Sequence, residues 1–98
     1  MRLIYHPDAE AELIEAVQYY ERRVATLGVQ FLNEAARATS IILETPERWN
    51  IIAEDVRRCL MLRFPYAIYY RALPDCVRIL AFKHHSRHPD YWRDRLSK

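Results

Sequence analysis

Three β-type segments joined by two proline turns constrain the fold of this chain more than any other feature. Residues 56–64, 66–72 and 76–83 are rich in β-branched and aromatic side chains, and Pro65 and Pro74 lie in the two breaks between them. Connections this short join strands that are neighbours in a sheet. The pattern therefore predicts a three-stranded antiparallel meander in the second half of the chain.

Both alternating sets of side chains in these strands are apolar. Ile68 and Tyr70, for example, alternate with Ala67 and Tyr69, which would lie on the opposite face. Two helices can cover only one face of such a sheet, and exposed apolar patches of that size are rare on monomers. The second face is therefore covered by the carboxy-terminal tail, by self-association or by a partner, and the sequence leaves these alternatives open.

The first half of the chain reads as a short strand followed by two helices. Residues 1–5 alternate in β fashion, and Pro7 suits the first position of a helix. Gly28, the only glycine, predicts the end of the first helix, and Pro46 ends the second. The short join predicts an antiparallel helical hairpin. The expected fold is thus α+β in the order βααβββ, with a carboxy-terminal tail.

Each predicted helix has an apolar stripe and a polar outer side. The first stripe consists of Ala9, Leu13, Ala16, Val17, Tyr20, Val24 and Leu27. The second consists of Leu32, Ala35, Ala36, Thr39, Ile42 and Leu43. Glu10, Glu12 and Glu15 fall outside the first stripe, so we expect these carboxylates to be solvated and to have no acid–base role.

Length and composition favour one domain over residues 1–98. The chain is long enough for a single core, no linker divides it, and 51% of its residues are hydrophobic. It has neither the basic and apolar start of a signal peptide nor an apolar run long enough for a membrane span. We therefore expect a cytoplasmic protein in which Cys59 and Cys76 are buried thiols without a disulfide.

The net charge of +2 hides an uneven distribution. Residues 1–47 contain four Arg and eight acidic residues, a balance of −4, whereas residues 48–98 contain eleven Lys or Arg and five acidic residues, a balance of +6. Thirteen of the fifteen cationic side chains are Arg, which binds phosphate and carboxylate groups through two nitrogens. An anionic partner for the second half, or a solvated basic surface, follows from this balance.

Motifs for self-contained chemistry are weak. His84, His85 and His88 lie within five residues, but no cysteine or second histidine motif completes a zinc site, so no metal and no cofactor is expected. Ser40 and Ser97 lie in a helix and the tail, outside any nucleophile motif. A chain with one glycine cannot form a phosphate-binding loop.

A strip of basic and aromatic residues is the strongest candidate for a binding surface. It consists of Arg57, Arg58, Arg63, Arg71, Arg78, Lys83, His84, His85, Arg87, Tyr91 and Trp92. Such a strip suits RNA, whose phosphates attract Arg and whose bases stack on aromatic rings, and it suits an acidic protein equally well. The alternative for any single arginine is a structural ion pair across neighbouring strands.

Nearly the whole chain resembles the RelE/ParE superfamily of bacterial toxins from toxin–antitoxin operons. The resemblance rests on five segments, which read HPDAEAELIEAVQYYE, LGVQFL, ETPERW, VRRCLMLRFPYAIYYR and VRILAFKHHSRHPDYWR. It implies a RelE/ParE-like βααβββ fold, a cognate antitoxin that wraps and neutralises the toxin, and a hetero-oligomer of the two.

The resemblance implies one of two targets. ParE-like members, often labelled plasmid stabilisation proteins, bind and inhibit DNA gyrase without catalysis, whereas RelE-like members cleave mRNA on the ribosome. The FPYAIYYR segment and the HxxRxPxxW ending are more similar to the ParE branch. Moreover, Arg48, Arg57 and Arg58 occupy positions where the nuclease branch is expected to have lysines. A gyrase-binding toxin is the first hypothesis and a ribosome-dependent mRNA endoribonuclease the second.

Each hypothesis has its own candidate residues. For a nuclease, the residues that position and cleave mRNA are expected to be Arg58, Arg78, Lys83, His84 and Tyr91. For partner binding, the expected residues are Tyr20, Trp49, Arg57, Arg63, Arg71, His85, Arg87 and Trp92. The two sets divide the basic strip between them and add Tyr20 and Trp49.

Overall fold

The computed structural model describes residues 1–97. In chain order its elements are β1 (Arg2–Tyr5), α1 (Pro7–Arg23), α2 (Leu27–Glu44), β2 (Ile51–Ala53), β3 (Val56–Leu60), β4 (Tyr66–Ala72), β5 (Cys76–His84) and a 3-10 helix (Arg93–Ser97). The predicted α+β fold, with its amino-terminal strand, helical hairpin and antiparallel meander, is confirmed. Neither helix has the length and apolar character needed to cross a membrane.

The five strands form one mixed sheet in the order β1-β5-β4-β3-β2. The first strand pairs with the last in parallel, and the other neighbours are antiparallel. A register shift between β4 and β5 pairs Tyr69 with Ala81 and Tyr70 with Ile79, which leaves Leu80 as an extra residue. This bulge puts Leu80 and Ala81 in the same apolar cluster.

The helical hairpin covers one face of the sheet, which we call the helix face. Phe31 and Ile42 of α2 pack in one buried cluster with Ile68, Tyr70 and Ile79 of the central strands. These side chains are fully buried or nearly so, because the helices present one apolar stripe to a pleated apolar surface. The layer between the helices and the helix face is therefore the larger hydrophobic core of the domain.

The carboxy-terminal tail covers part of the opposite face, which we call the tail face. Trp92 is only 1% exposed and packs with Val56, Tyr69 and Leu80. Its ring centroid lies 5.4 Å from that of Tyr69. Of the three coverings left open by the sequence, the tail is the one observed, although Leu60 on the same face stays 55% exposed. The tail thus buries a second, smaller core.

A cluster of hydrogen bonds around Glu12 attaches the tail to the sheet. Arg95 donates to both carboxylate oxygens of Glu12, at 2.9 and 3.0 Å, and to the carbonyl oxygen of Leu80 at 2.8 Å. Tyr91 donates its hydroxyl proton to Glu12 at 2.6 Å, and the amide of Phe82 donates to the same carboxylate at 3.1 Å. The expectation that Glu12 is solvated was wrong, since contacts with the tail leave its side chain only 13% exposed.

Residues of α1 and the tail satisfy the edge of β5 that β1 leaves unpaired. The pairing of β1 with β5 ends at Ile79, and the next bond along this edge joins the His6 amide to the Ile79 carbonyl at 2.8 Å. The Leu80 carbonyl and the Phe82 amide then bond to Arg95 and Glu12. Buried backbone groups need such partners, so these two side chains replace a missing length of strand.

The end of α1 was predicted wrongly. The helix stops at Arg23, and Thr26 takes the left-handed backbone conformation with φ of 71°. Gly28 lies inside α2, where an added Cβ would be 2.4 Å from the carbonyl oxygen of Val17. Glu21 accepts hydrogen bonds from the amides of Thr26 and Gly28. The glycine therefore allows two helices to meet closely.

Two strand boundaries and two apolar stripes also differ from the prediction. The expected loop before residue 56 contains the short strand β2, whose Ile51 and Ile52 are exposed, and the strand predicted over 56–64 ends at Leu60. In α2 the buried stripe includes Phe31 and Ala38, whereas the predicted members Leu32 and Ala36 are exposed. In the first predicted stripe, Val24 is exposed beyond the end of α1. Surplus apolar residues on α2 obscured the true stripe.

Replacing Gly28→Ala should lower the free energy of unfolding by about 1–3 kcal/mol, because the new methyl group would collide with the α1 backbone. Urea denaturation followed by circular dichroism would measure the change. Ser40→Ala on the exposed side of α2 is the control and should change stability little. Equal stability of the two variants would contradict a close helix contact at Gly28.

Replacing Glu12→Ala should lower the free energy of unfolding by about 3–5 kcal/mol. The substitution leaves the guanidinium of Arg95, whose side chain is only 9% exposed, without its carboxylate partner. Thermal and urea denaturation would give the loss. Glu15→Ala, on an exposed position of the same helix, is the matched control and should be close to neutral. If both variants unfold alike, the ion pair does not attach the tail.

Burial raises the pKa of Tyr70 from 10.0 to about 12, and its hydroxyl donates to the carbonyl oxygen of Pro46 at 2.6 Å. A raised pKa means that the folded state holds the phenol proton more tightly than the unfolded state does. The free energy of unfolding should therefore fall as pH rises from 10 to 12. Tyr91, whose pKa is also raised, contributes to the same slope, so Tyr70→Phe should make the slope in urea titrations less steep without removing it. An unchanged slope would exclude a contribution from Tyr70.

Candidate partner-binding surface

A groove with a volume of about 720 Å³ lies between α1, the start of β4 and the end of β5. Its walls combine aromatic, basic and acidic side chains. They are Glu12, Glu15, Ala16, Gln18, Tyr19, Tyr20, Arg22, Pro65, Tyr66, Phe82, His84, Ser86 and Arg87. Sequence patterns placed Tyr20, His84 and Arg87 among the candidates, and the structure brings these three together in the groove.

Local packing holds the polar groups of this groove in position. His84 accepts the amide proton of Ser86 at its Nδ1, at 3.0 Å, and its ring meets the edge of Tyr66 with centroids 5.1 Å apart. Tyr20 contacts Tyr66 in the same way at 6.4 Å. Arg87 lies 4.0 Å from the ring centroid of Tyr91. The groove is thus aromatic, with one guanidinium stacked at its rim.

Tyr91 lies at the edge of β5, behind the Glu12 carboxylate. Burial and then the hydrogen bond to Glu12 raise its pKa, so the phenol stays neutral at physiological pH. Arg95 lies on the same ring, 4.9 Å from its centroid. The hydroxyl of Tyr91 therefore has a structural partner already, and its aromatic face is shared with two guanidinium groups.

The five nuclease candidates do not meet at one place. Successive side chains of a strand point to opposite faces. Arg58 precedes Cys59, and Arg78 lies between Val77 and Ile79, all three of which belong to the helix-face core, so both arginines lie on the tail face. Lys83 is buried on the tail face and donates its Nζ proton to the carbonyl oxygen of His84 at 3.2 Å. His84 itself lies on the helix face. The strand alternation separates these groups.

Three of the partner-binding arginines have partners inside the chain. Arg57 donates to the carbonyl oxygens of Glu47 and Trp49, and Arg63 donates to the side chain of Gln30. Arg71 forms a two-pronged bond with Asp55 at 2.9–3.1 Å, and that bond lowers the pKa of the Asp55 carboxyl group. These side chains position loops and strand ends, the alternative that the sequence left open for single arginines.

The remaining partner candidates differ in accessibility. Trp92 is buried in the tail-face core, so its ring does not reach the surface. Trp49 is half-buried, with its ring edge against Tyr70 and the guanidinium of Arg48 at 5.2 Å. His85 is exposed in the turn after β5. Accessible candidates thus lie at two places, near the groove and near Trp49.

Sequence reasoning missed Arg95 and Glu12, which form the best-buried ion pair of the described chain. They are 83 residues apart, so no local motif links them. The polar character of Glu12 pointed to solvent. The only sequence signal was the presence of Arg95 near the apolar residues of the tail, and that signal is weak.

Across residues 1–97, no three His, Cys, Asp or Glu side chains are arranged to hold a metal ion.

Comparisons with known proteins agree with this architecture. No curated protein matches the sequence. A chain of a solved structure, described as the chromosomal ParDE TA system from P. aeruginosa, is similar in fold with a TM-score of 0.76 and 15% identity. That alignment covers 86% of this chain and 95% of the other.

A sequence model of one family matches most of the chain. The family is described as the ParE toxin of type II toxin-antitoxin system, parDE, and the match extends over residues 3–89. It includes both helices and, apart from Arg2 at the start of β1, the whole sheet. The chain therefore belongs to the ParE toxin family of type II toxin–antitoxin systems.

Proposed function

We propose that this chain is a toxin that binds DNA gyrase, blocks the gyrase cycle and is neutralised by a cognate antitoxin. The family match over residues 3–89 carries the proposal, since membership of a toxin–antitoxin family implies an antitoxin partner. Its place of action is the cytoplasm, where gyrase works on DNA. The toxin and antitoxin form a hetero-oligomer while the toxin is silent.

The positions of the nuclease candidates support a binding role over catalysis. General acid–base catalysis needs groups within hydrogen-bond reach of one reacting atom. Lys83 and His84 are neighbours in sequence but lie on opposite faces of the sheet, and Tyr91 donates its proton to Glu12. A toxin that acts by occupying a surface of its target needs no such convergence.

The groove between α1 and the strand ends is the surface that we assign to the contact with gyrase. It offers the aromatic side chain of Tyr20 and the exposed cation of Arg87, with His85 close by in the next turn. Aromatic and arginine side chains are the residue types that carry most binding energy at protein interfaces. This surface also has depth, which a flat sheet face lacks.

Purified protein should inhibit supercoiling by DNA gyrase at micromolar concentration, and the cognate antitoxin should restore it. Arg87→Glu should weaken inhibition at least tenfold, because a charge reversal at an interface costs both attraction and complementarity. Arg2→Glu makes the same charge change on the outer strand β1 and should inhibit like the unmodified chain. Unaltered supercoiling at micromolar toxin would count decisively against gyrase as the target.

A ribosome-dependent endoribonuclease is the second candidate, because His84 and Arg87 line the same groove. Primer extension on translated message after induction separates the two targets. Cuts within codons that vanish in a variant carrying His84→Ala and Tyr91→Phe would establish RNA cleavage in place of gyrase inhibition. Normal growth on induction without antitoxin would identify an inactive member of the family.

A further inference from the structure

Another, smaller pocket lies beside β2, which is an edge strand of the sheet. Its volume is about 300 Å³, and it is lined by Arg48, Trp49, Asn50, Ile52, Arg58 and Leu60. The groove assigned above to the protein partner shares no residue with it. The pocket combines two guanidinium groups, an indole, a carboxamide and two exposed aliphatic side chains.

The two arginines of this pocket lack acidic partners among residues 1–97. Arg48 contacts the ring of Trp49, and Arg58 is exposed on the tail side of β3. No acidic residue lines the pocket, and of the two acids that precede β3, Asp55 pairs with Arg71 and Glu54 lies 3.8 Å from Arg93. Two cations therefore face one pocket without a neutralising charge, an arrangement that attracts an anion.

We infer that this pocket binds a phosphate group of a nucleic-acid strand, with the attached sugar and base lying over Ile52 and Leu60. A tetrahedral phosphate presents oxygens in several directions, so Arg48 and Arg58 can each bind it from a separate side. The stack of Arg48 on Trp49 and the amide of Asn50 provide further surface for the nucleotide.

A peptide carboxylate fits the same pocket less well. A carboxylate offers its oxygens in one plane, where a single arginine can bind both of them in a two-pronged bond, as Arg71 does with Asp55 in this chain. A phosphate offers oxygens on more than one side, which suits two separate guanidinium groups. The balance of +6 over residues 48–98 also favours a polyanion that extends beyond one contact.

The inference goes beyond the proposed function, since binding of a strand at this pocket requires neither gyrase nor antitoxin. Fluorescence anisotropy with labelled ten-nucleotide strands of oligo(dT) and oligo(U), and with a ten-base-pair duplex, tests it directly on the full chain. The variant is Arg48→Gln combined with Arg58→Gln. The control, Arg2→Gln combined with Arg22→Gln, removes the same charge from positions that do not line the pocket.

The pocket variant should bind single strands at least tenfold more weakly than the control does. Its dependence of log affinity on log salt should also be shallower by roughly 0.7, the contribution of one phosphate contact on a single strand. Binding of oligo(dT) and oligo(U) alike identifies the phosphate as the feature recognised. A preference for one of them adds a contact to the sugar or base. Circular dichroism confirms that both variants fold.

Two results would overturn the inference. One is equal affinity of the pocket variant and the control, which would assign any binding to diffuse charge. The other is a ten-residue polyglutamate peptide that binds more tightly than every oligonucleotide and loses its binding in the pocket variant, because the site would then be for acidic protein. The assay contains no gyrase, so its failure leaves the supercoiling experiment unaffected.

Discussion

The contact between Glu12 and Arg95 is the interaction on which the rest of the structure depends. It joins the first helix to the 3-10 helix of the tail. The same two side chains also provide hydrogen-bond partners for the backbone of β5 where no strand lies beside that edge. Two apolar layers meet at this point, because Glu12 belongs to the helix that covers one face and Arg95 to the tail that covers the other. A polar contact thus sets the position of both cores.

Much of the architecture could be predicted because local chemistry determines it. Pro7 begins α1, α2 ends two residues before Pro46, and Pro65 and Pro74 separate the strands of the meander. These signals act within a few residues of where they lie. Gly28 shows their limit, since it was interpreted as a helix end from its backbone freedom, whereas its contact is with Val17 of another helix. Contacts between distant segments leave little trace in a local pattern.

The candidate surface was harder to predict than the fold, because residue type indicates neither face nor partner. Arg57 and Arg58 are adjacent members of the basic strip, yet Arg57 bonds to backbone carbonyls while Arg58 lines an open pocket. The bulge at Leu80 adds to the difficulty, since it shifts the alternation of every later residue in β5 relative to β4. Only three-dimensional geometry divides the basic strip into structural and accessible arginines.

The parallel pairing of β1 with β5 has a consequence for how the protein is made. During synthesis the first strand emerges early, but the strand it pairs with is the last to be translated. The sheet therefore cannot close until β5 has left the ribosome, and contacts so distant along the chain form slowly. A nascent chain of this topology therefore lacks the groove beside α1 until its last strand has emerged.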